Sequence, residues 1–394
     1  MSRLTIGEIQ GVIIYVAVLL TPFLGLSEVS WLLGFDVIST RVEPWVIKIA
    51  KDLFISMSIL VGVLFGITSR HAMPVVSVAT MFLIVVFSVA CSLLFMSNEA
   101  LFAGFRWLLP LIFYFTLQGL DKLFFIRISR ILNIMLIAGL TLQIYQYFMT
   151  SGIYGLNEYG YSIRNPGYFL IPSSMAAYAM ASLYFVIRFE PLRLLRFLAF
   201  TAAVFSVILT SSGTGFISFA MFVFFVMRKE EGFKLYIILA IFIGLTTLPL
   251  LPILTNREYV LSSLETRVKI FMQHTDILKL LFSNTFGAGT NSLINLRPDL
   301  LESGEATIAD SMLSSSVINL GILFLLISIY EFFIRPMRKF GRAELLYFSS
   351  FFPFYLTVVL FELFPVNILM FIALSELTLE KNSTTKNTHC FAST

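Results

Sequence analysis

The sequence predicts an all-α protein threaded repeatedly through a membrane, with about twelve transmembrane helices and one long outer loop between two of them. Three observations carry this reading. Hydrophobic residues make up 58% of the 394-residue chain and charged residues only 13%, where a soluble domain carries about 25%. Mean hydropathy is +0.90, and phenylalanine is abundant at 42 residues, which suits helix faces turned to lipid. Apolar runs of roughly twenty residues, the length that crosses a hydrocarbon core, recur from one end to the other.

The runs fall at 9–26, 52–68, 74–96, 101–119, 128–149, 166–187, 194–210, 212–227, 235–254, 311–331, 345–361 and 364–379. Ten or eleven spans are the alternatives, because 212–227 and 364–379 are short. The first run follows Met1-Ser-Arg and lacks a small-residue cleavage pattern, so it reads as a retained helix rather than a signal peptide. The second is set off by Ser27–Lys51, whose Trp31 and Trp45 suit the headgroup level. Thr150–Asn165 is rich in Gly, Tyr and Asn. The tail Lys381–Thr394 is polar and reads as a disordered cytoplasmic segment.

Lys and Arg in the connecting segments set the orientation. With the N-terminus inside, 17 of the 27 basic residues fall in inner segments and 9 in outer ones, with Arg106 within a span. The inner loops Arg188–Arg196, Arg228–Lys234 and Arg335–Arg342 are each basic. The outer turns Ser97–Ala100, Ser211–Gly213 and Glu362–Pro365 have no Lys or Arg.

Thr255–Asp310 is the one long polar interruption, and it lies outside. Glu258–Phe282 has helical apolar spacing and predicts an amphipathic helix at the membrane surface. Phe286-Gly-Ala-Gly289 then breaks it. No internal repeat or second domain is evident.

Several chemistries are excluded. No phosphate-binding Walker loop, dinucleotide fingerprint or DxD occurs, and His71, His274 and His389 are too scattered for a metal site. No metal and no other cofactor is expected. The net charge of +4 is small, and no basic stripe with interleaved aromatics marks a nucleic-acid surface. Cys91 and Cys390 make no disulfide framework.

What remains is outer arginine with outer carboxylate. Arg164, in Arg164-Asn-Pro-Gly167, precedes an apolar run. Guanidinium suits phosphate because its planar fork donates two parallel charged hydrogen bonds. At a helix start it would share the anion with free backbone N–H groups. The competing reading is a snorkelling arginine at the membrane edge. Arg267 sits on the expected surface helix and Arg257 near its start; a solvated face is the competing reading for Arg257. Arg106 is an ionisable residue within a span, which marks function by default, although it is close enough to the outer edge to snorkel. Asp310 stands immediately before an apolar run. It reads as a helix N-cap, as a general base for a sugar hydroxyl, or as both. Thr210-Ser-Ser-Gly-Thr-Gly215 offers hydroxyls and N–H groups to a phosphate or sugar, or is a plain tight turn.

In their order and spacing, these pieces resemble the O-antigen polymerase and ligase superfamily of bacterial envelopes. The residues concerned are Arg164-Asn-Pro-Gly167 with Pro172 and Ala176, Thr210-Ser-Ser212, the loop bearing Arg267, Phe286-Gly-Ala-Gly289, and Asp310-Ser311 followed by Asn319-Leu-Gly321. The resemblance covers about Gly152 to Leu325. It implies a C-type glycosyltransferase fold in the inner membrane, with its active site on the periplasmic side. It implies undecaprenyl-pyrophosphate-linked oligosaccharide as substrate, membrane lipid around the spans, a chain-length regulator protein as partner, and no metal. Arg164 and Arg267 would hold the pyrophosphate. Family ligases tend to have His where Asp310 stands, which points to polymerase over ligase. They also tend to have Arg where Gly213 stands, and Arg257 or Arg106 would compensate. One base without a second carboxylate at fixed spacing favours inversion. The alternatives are the ligase, a flippase of lipid-linked oligosaccharide, and a non-catalytic assembly protein.

Overall fold

A computed structural model describes residues 6–25, 45–65, 75–117, 119–150, 165–169, 172–227, 281–291, 293, 299, 309, 311–338 and 340–390. All regular structure among them is helical. Twelve main helices follow in chain order: α1 Ile6–Leu19, α2 Trp45–Phe65, α3 Val75–Ser92, α4 Asn98–Thr116, α5 Lys122–Thr150, α6 Pro172–Phe189, α7 Arg193–Thr210, α8 Gly213–Met227, α9 Met312–Leu320, α10 Ile322–Ile329, α11 Arg342–Thr357 and α12 Val366–Cys390.

Among the described residues, five segments are long and apolar enough to cross a membrane: Ile6–Phe23, Val75–Ser92, Asn98–Thr116, Lys122–Phe148 and Arg193–Thr210. Gly213–Val226 and Val366–Thr378 are apolar but shorter. Large apolar side chains stand open on their outer faces, among them Val75 (83% exposed), Phe82 (66%) and Phe148 (77%). Water would penalise such faces and lipid does not. These features mark the chain as membrane-embedded. The expected span 235–254, the expected surface helix apart from its last two residues, and most of the loop 255–310 lie outside the described residues.

The chain divides into two compact units. The first holds Met1–Val61, Leu120–Leu261 and Gly341–Phe354. Its centre is α5, α6 and α7, packed on one another. Helix α5 starts where the Asp121 carboxylate accepts the Phe124 N–H at 2.8 Å, a side-chain N-cap. It then runs for 29 residues. Helix α6 opens on Pro172, whose missing N–H costs nothing at a helix start. From Ser174 to Ile187 it is buried on every face, as a helix apolar all round must be. The expected span 166–187 therefore begins later, at Pro172. At the other end, buried Glu190 accepts Arg130 Nε at 2.9 Å and the Leu192 N–H at 3.1 Å. The Ser218 hydroxyl ties α8 to the Ser349 carbonyl on α11 at 2.6 Å.

The second unit holds Gly62–Gly119, Ser262–Phe340 and Tyr355–Thr394. Aromatic rings fill its centre. Trp107 of α4 lies 4.9 Å from Phe361, and Tyr114 lies 5.2 Å from Phe371 of α12. The expected span 311–331 is not one helix. Gly321, at φ +90°, ends α9 and begins α10. Only glycine adopts that backbone freely. Helix α10 passes into a π turn, Tyr330–Ile334. There buried Glu331 accepts the Ser77 hydroxyl and Arg335 Nη1, each at 2.7 Å. Helical backbone in α12 continues to Cys390, past Lys381, where the sequence predicts a disordered tail to begin.

Candidate functional site

Among the described residues, each unit has a buried polar centre built around a glycine-bearing segment. In the second unit it is built on the turn Phe286-Gly-Ala-Gly-Thr290. Its backbone amides would be orphaned in an apolar setting. The fully buried Asn319 of α9 takes them up. Its Oδ1 accepts the N–H of Gly287 at 3.0 Å and of Gly289 at 3.1 Å. Its Nδ2 donates to Ser315 Oγ at 3.3 Å, and Ser315 donates to the Gly289 carbonyl at 2.8 Å. The Thr290 hydroxyl closes the turn on the Gly287 carbonyl at 2.8 Å. Ser92 Oγ accepts the Phe286 N–H at 2.9 Å, and Ser283 and Thr285 both donate to the Ile318 carbonyl. Gly287 sits at φ +93°, and a Cβ there would come within 1.7 Å of the Ala100 carbonyl oxygen. No side chain fits.

The turn leads into Asn291. Its N–H donates to Glu362 Oε2 at 3.0 Å, and its Nδ2 to the Ala309 carbonyl at 3.4 Å. On the other side of position 310, Ser311 begins α9. Its Oγ accepts the Ser314 N–H at 3.2 Å, and the Ser314 hydroxyl receives the Ser311 N–H at 3.4 Å. This reciprocal capping box corrects the expectation that Asp310 caps the helix: the cap is Ser311. The Met312 N–H continues the frame to the Val358 carbonyl at 3.0 Å. Ala309 and Ser311 are both buried.

In the first unit the polar centre is the segment Asn165-Pro-Gly167. Two fully buried glutamines of α5 hold it. Gln146 pairs with both backbone groups of Gly167, accepting its N–H at 2.9 Å and donating to its carbonyl at 3.1 Å. Gln143 Nε2 donates to the Asn165 carbonyl at 2.8 Å, while its Oε1 accepts the Ser206 hydroxyl at 2.7 Å. The Asn165 N–H donates to the Leu209 carbonyl at 3.0 Å. The next residues form the expected turn Thr210-Ser-Ser212. Ser211 is left-handed at φ 50°, and Ser212 Oγ accepts the Gly215 N–H at 3.2 Å. The Ser212 hydroxyl therefore serves as a cap.

Arg164, Arg257, Arg267 and Asp310 lie outside the described residues. The expectation that Arg164 adjoins a helix start is corrected in one respect: α6 begins at Pro172, beyond the clamped segment, because glutamine bonds hold Gly167 out of the helix. Arg106 is half-buried on α4. It stands one turn beyond Ala103, which packs with Ala100 and Leu293, so it shares the flank of α4 that meets the segment after the glycine turn. Glu362, Asn291, Gln143 and Gln146 are the residues that sequence reasoning missed. No protein-family model, curated protein or solved structure matches the chain.

Proposed function

We propose that the chain is a polymerase of the O-antigen type, a metal-independent glycosyltransferase of the bacterial inner membrane. It joins undecaprenyl-pyrophosphate-linked oligosaccharide repeats into lipopolysaccharide O-antigen at the periplasmic face. The twelve-span topology with periplasmic loop 255–310 belongs to this proposal. The motif order supports it. The structural observation that carries it is the buried hydrogen-bonded frame on both sides of position 310. A polar frame of this kind in a membrane-embedded chain is costly unless it serves a site.

A growing glycan on undecaprenyl pyrophosphate is the donor, and a single lipid-linked repeat is the acceptor. Asp310 takes the proton from the acceptor's terminal hydroxyl. That oxygen bonds to the donor's anomeric carbon. The bond from that carbon to the pyrophosphate oxygen breaks, and undecaprenyl pyrophosphate leaves with the electron pair. Arg164 and Arg267, assisted by Arg257 or Arg106, stabilise the charge that develops on it.

Asp310→Asn should slow polymerisation by about 10²–10⁴-fold, the usual contribution of a general base. In a host that supplies lipid-linked repeats but lacks its own polymerase, Asp310→Asn and Arg267→Ala should leave single repeats and no long chains on a polysaccharide gel. Full ladders from both variants would rule the assignment out.

A further inference from the structure

We infer that the basic end of the first unit binds the headgroup of an anionic phospholipid. This site is separate from the proposed polymerase site and uses none of its residues. Helices α5 and α7 are both long and apolar enough to span, and they start side by side: Asn133 Nδ2 of α5 donates to the Leu195 carbonyl of α7 at 3.1 Å. Their common end therefore lies at one membrane face. Helix α5 brings Lys122, Arg127 and Arg130 to it, and the link from α6 to α7 brings Arg188, Arg193 and Arg196. Against these cations stand the carboxylates of Asp121, which caps α5, and of Glu190. Glu190 is approached from two sides. Its carboxylate accepts Arg130 Nε, and its backbone carbonyl accepts Arg196 Nε. One negative charge thus gathers two guanidinium groups, and positive charge is left over where they meet. An orientation signal needs only basic residues in a loop. It does not need a buried carboxylate to hold them, since burying that carboxylate is itself costly. The phosphodiester of a lipid headgroup supplies the missing negative charge, and guanidinium suits it. A lipid fits better than a soluble anion because exposed Leu192 and Leu194 flank Arg193, and exposed Leu123 follows Lys122. Acyl chains cover such leucines, and water does not. The far ends of the same helices, around Gln146 and from Thr210 to Gly215, carry no charged side chain among the described residues. The attraction for anionic lipid is therefore confined to one face of the unit.

The test uses full-length protein in micelles of a neutral detergent. Phosphatidylglycerol, phosphatidylcholine or inorganic phosphate is titrated in while the thermal midpoint is followed, since a ligand of the folded state raises it by mass action. Phosphatidylglycerol should raise the midpoint at concentrations where phosphatidylcholine and phosphate do not. Arg127 and Arg193 are exposed, so Arg127→Gln and Arg193→Gln should fold. Each should weaken phosphatidylglycerol binding by about fivefold, the usual worth of one cation near an anionic lipid surface. Arg338→Gln removes the same charge from an exposed position of the second unit and should leave the affinity unchanged. Three results overturn the assignment. An equal response to both lipids shows that the headgroup charge is not read. A midpoint raised equally by inorganic phosphate makes this a site for a soluble anion. Equal weakening by Arg338→Gln reduces the effect to the charge of the whole chain. The comparison of lipids needs no variant, so it decides even where an arginine variant does not fold. Loss of the polymerase assignment would leave this site standing.

Discussion

Asn319 holds more of the second unit's polar centre than any other single side chain described. Its carbonyl oxygen receives two buried N–H groups of the glycine turn. Asn319→Ala strands both, and each orphaned group costs about 1–3 kcal/mol. The expected loss is therefore about 2–6 kcal/mol, read as a lowered thermal midpoint of the purified protein in detergent. Gly287→Ala should be at least as damaging, because its Cβ meets backbone rather than a movable side chain. Gly213→Ala is the control. A Cβ there meets nothing within 4 Å, and alanine favours the helix it opens. An unchanged midpoint in Asn319→Ala would refute the account. Some of this centre was legible in the sequence and some was not. The run Phe286-Gly-Ala-Gly289 announces a turn by composition alone. That an asparagine thirty residues later holds it depends on a long-range contact that no local pattern encodes. Asp310 looked like the cap because carboxylates cap helices well, but Ser311 and Ser314 satisfy each other reciprocally and move the cap by one residue. Glu362 did leave a signal: a lone carboxylate within Leu360–Pro365, an apolar turn where a charge is costly.

Among the elements, the link between α6 and α7 shows how a charge is kept where it is expensive. Glu190 is 1% exposed at its side chain, while its partner Arg130 is 47% exposed. The partners are not equivalent. Removing the guanidinium leaves a buried carboxylate bonded only to the Leu192 N–H, which is worse than neutralising the carboxylate itself. Thermal midpoints should fall in the order wild type, Glu190→Gln, Arg130→Ala. The reverse order of the two variants would show that Glu190 is solvated. Among the described residues helices do fall on the apolar runs, since hydropathy sums over neighbours in sequence, and five of them are long and apolar enough to span. Breaks were read less well. The run 311–331 reads as one span because hydropathy is summed across it, and the sum hides the division at Gly321; nor does the start of 166–187 show that α5 holds Gly167 apart from the helix that follows.

For the molecule as a whole, the exposed apolar faces predict that the protein stays with membranes through an alkaline carbonate wash. The proposed topology gives a sharper test. With Cys91 and Cys390 replaced by serine, Asp299→Cys should react with an impermeant maleimide added to intact spheroplasts, and Arg338→Cys only after permeabilisation. Labelling of Arg338→Cys from outside would invert the orientation. Composition settles the class of molecule because every residue contributes to it. The two polar centres, by contrast, are assembled from segments far apart in the sequence.

The glutamine pair also bears on how the chain is made. Gln146 leaves the ribosome 21 residues before Gly167, its partner. When α5 first reaches the translocon, two amides face the bilayer with nothing to bind. Lateral release of α5 should therefore wait until Asn165 and Gly167 have been translated, so that these two helices are delivered into lipid together rather than one by one.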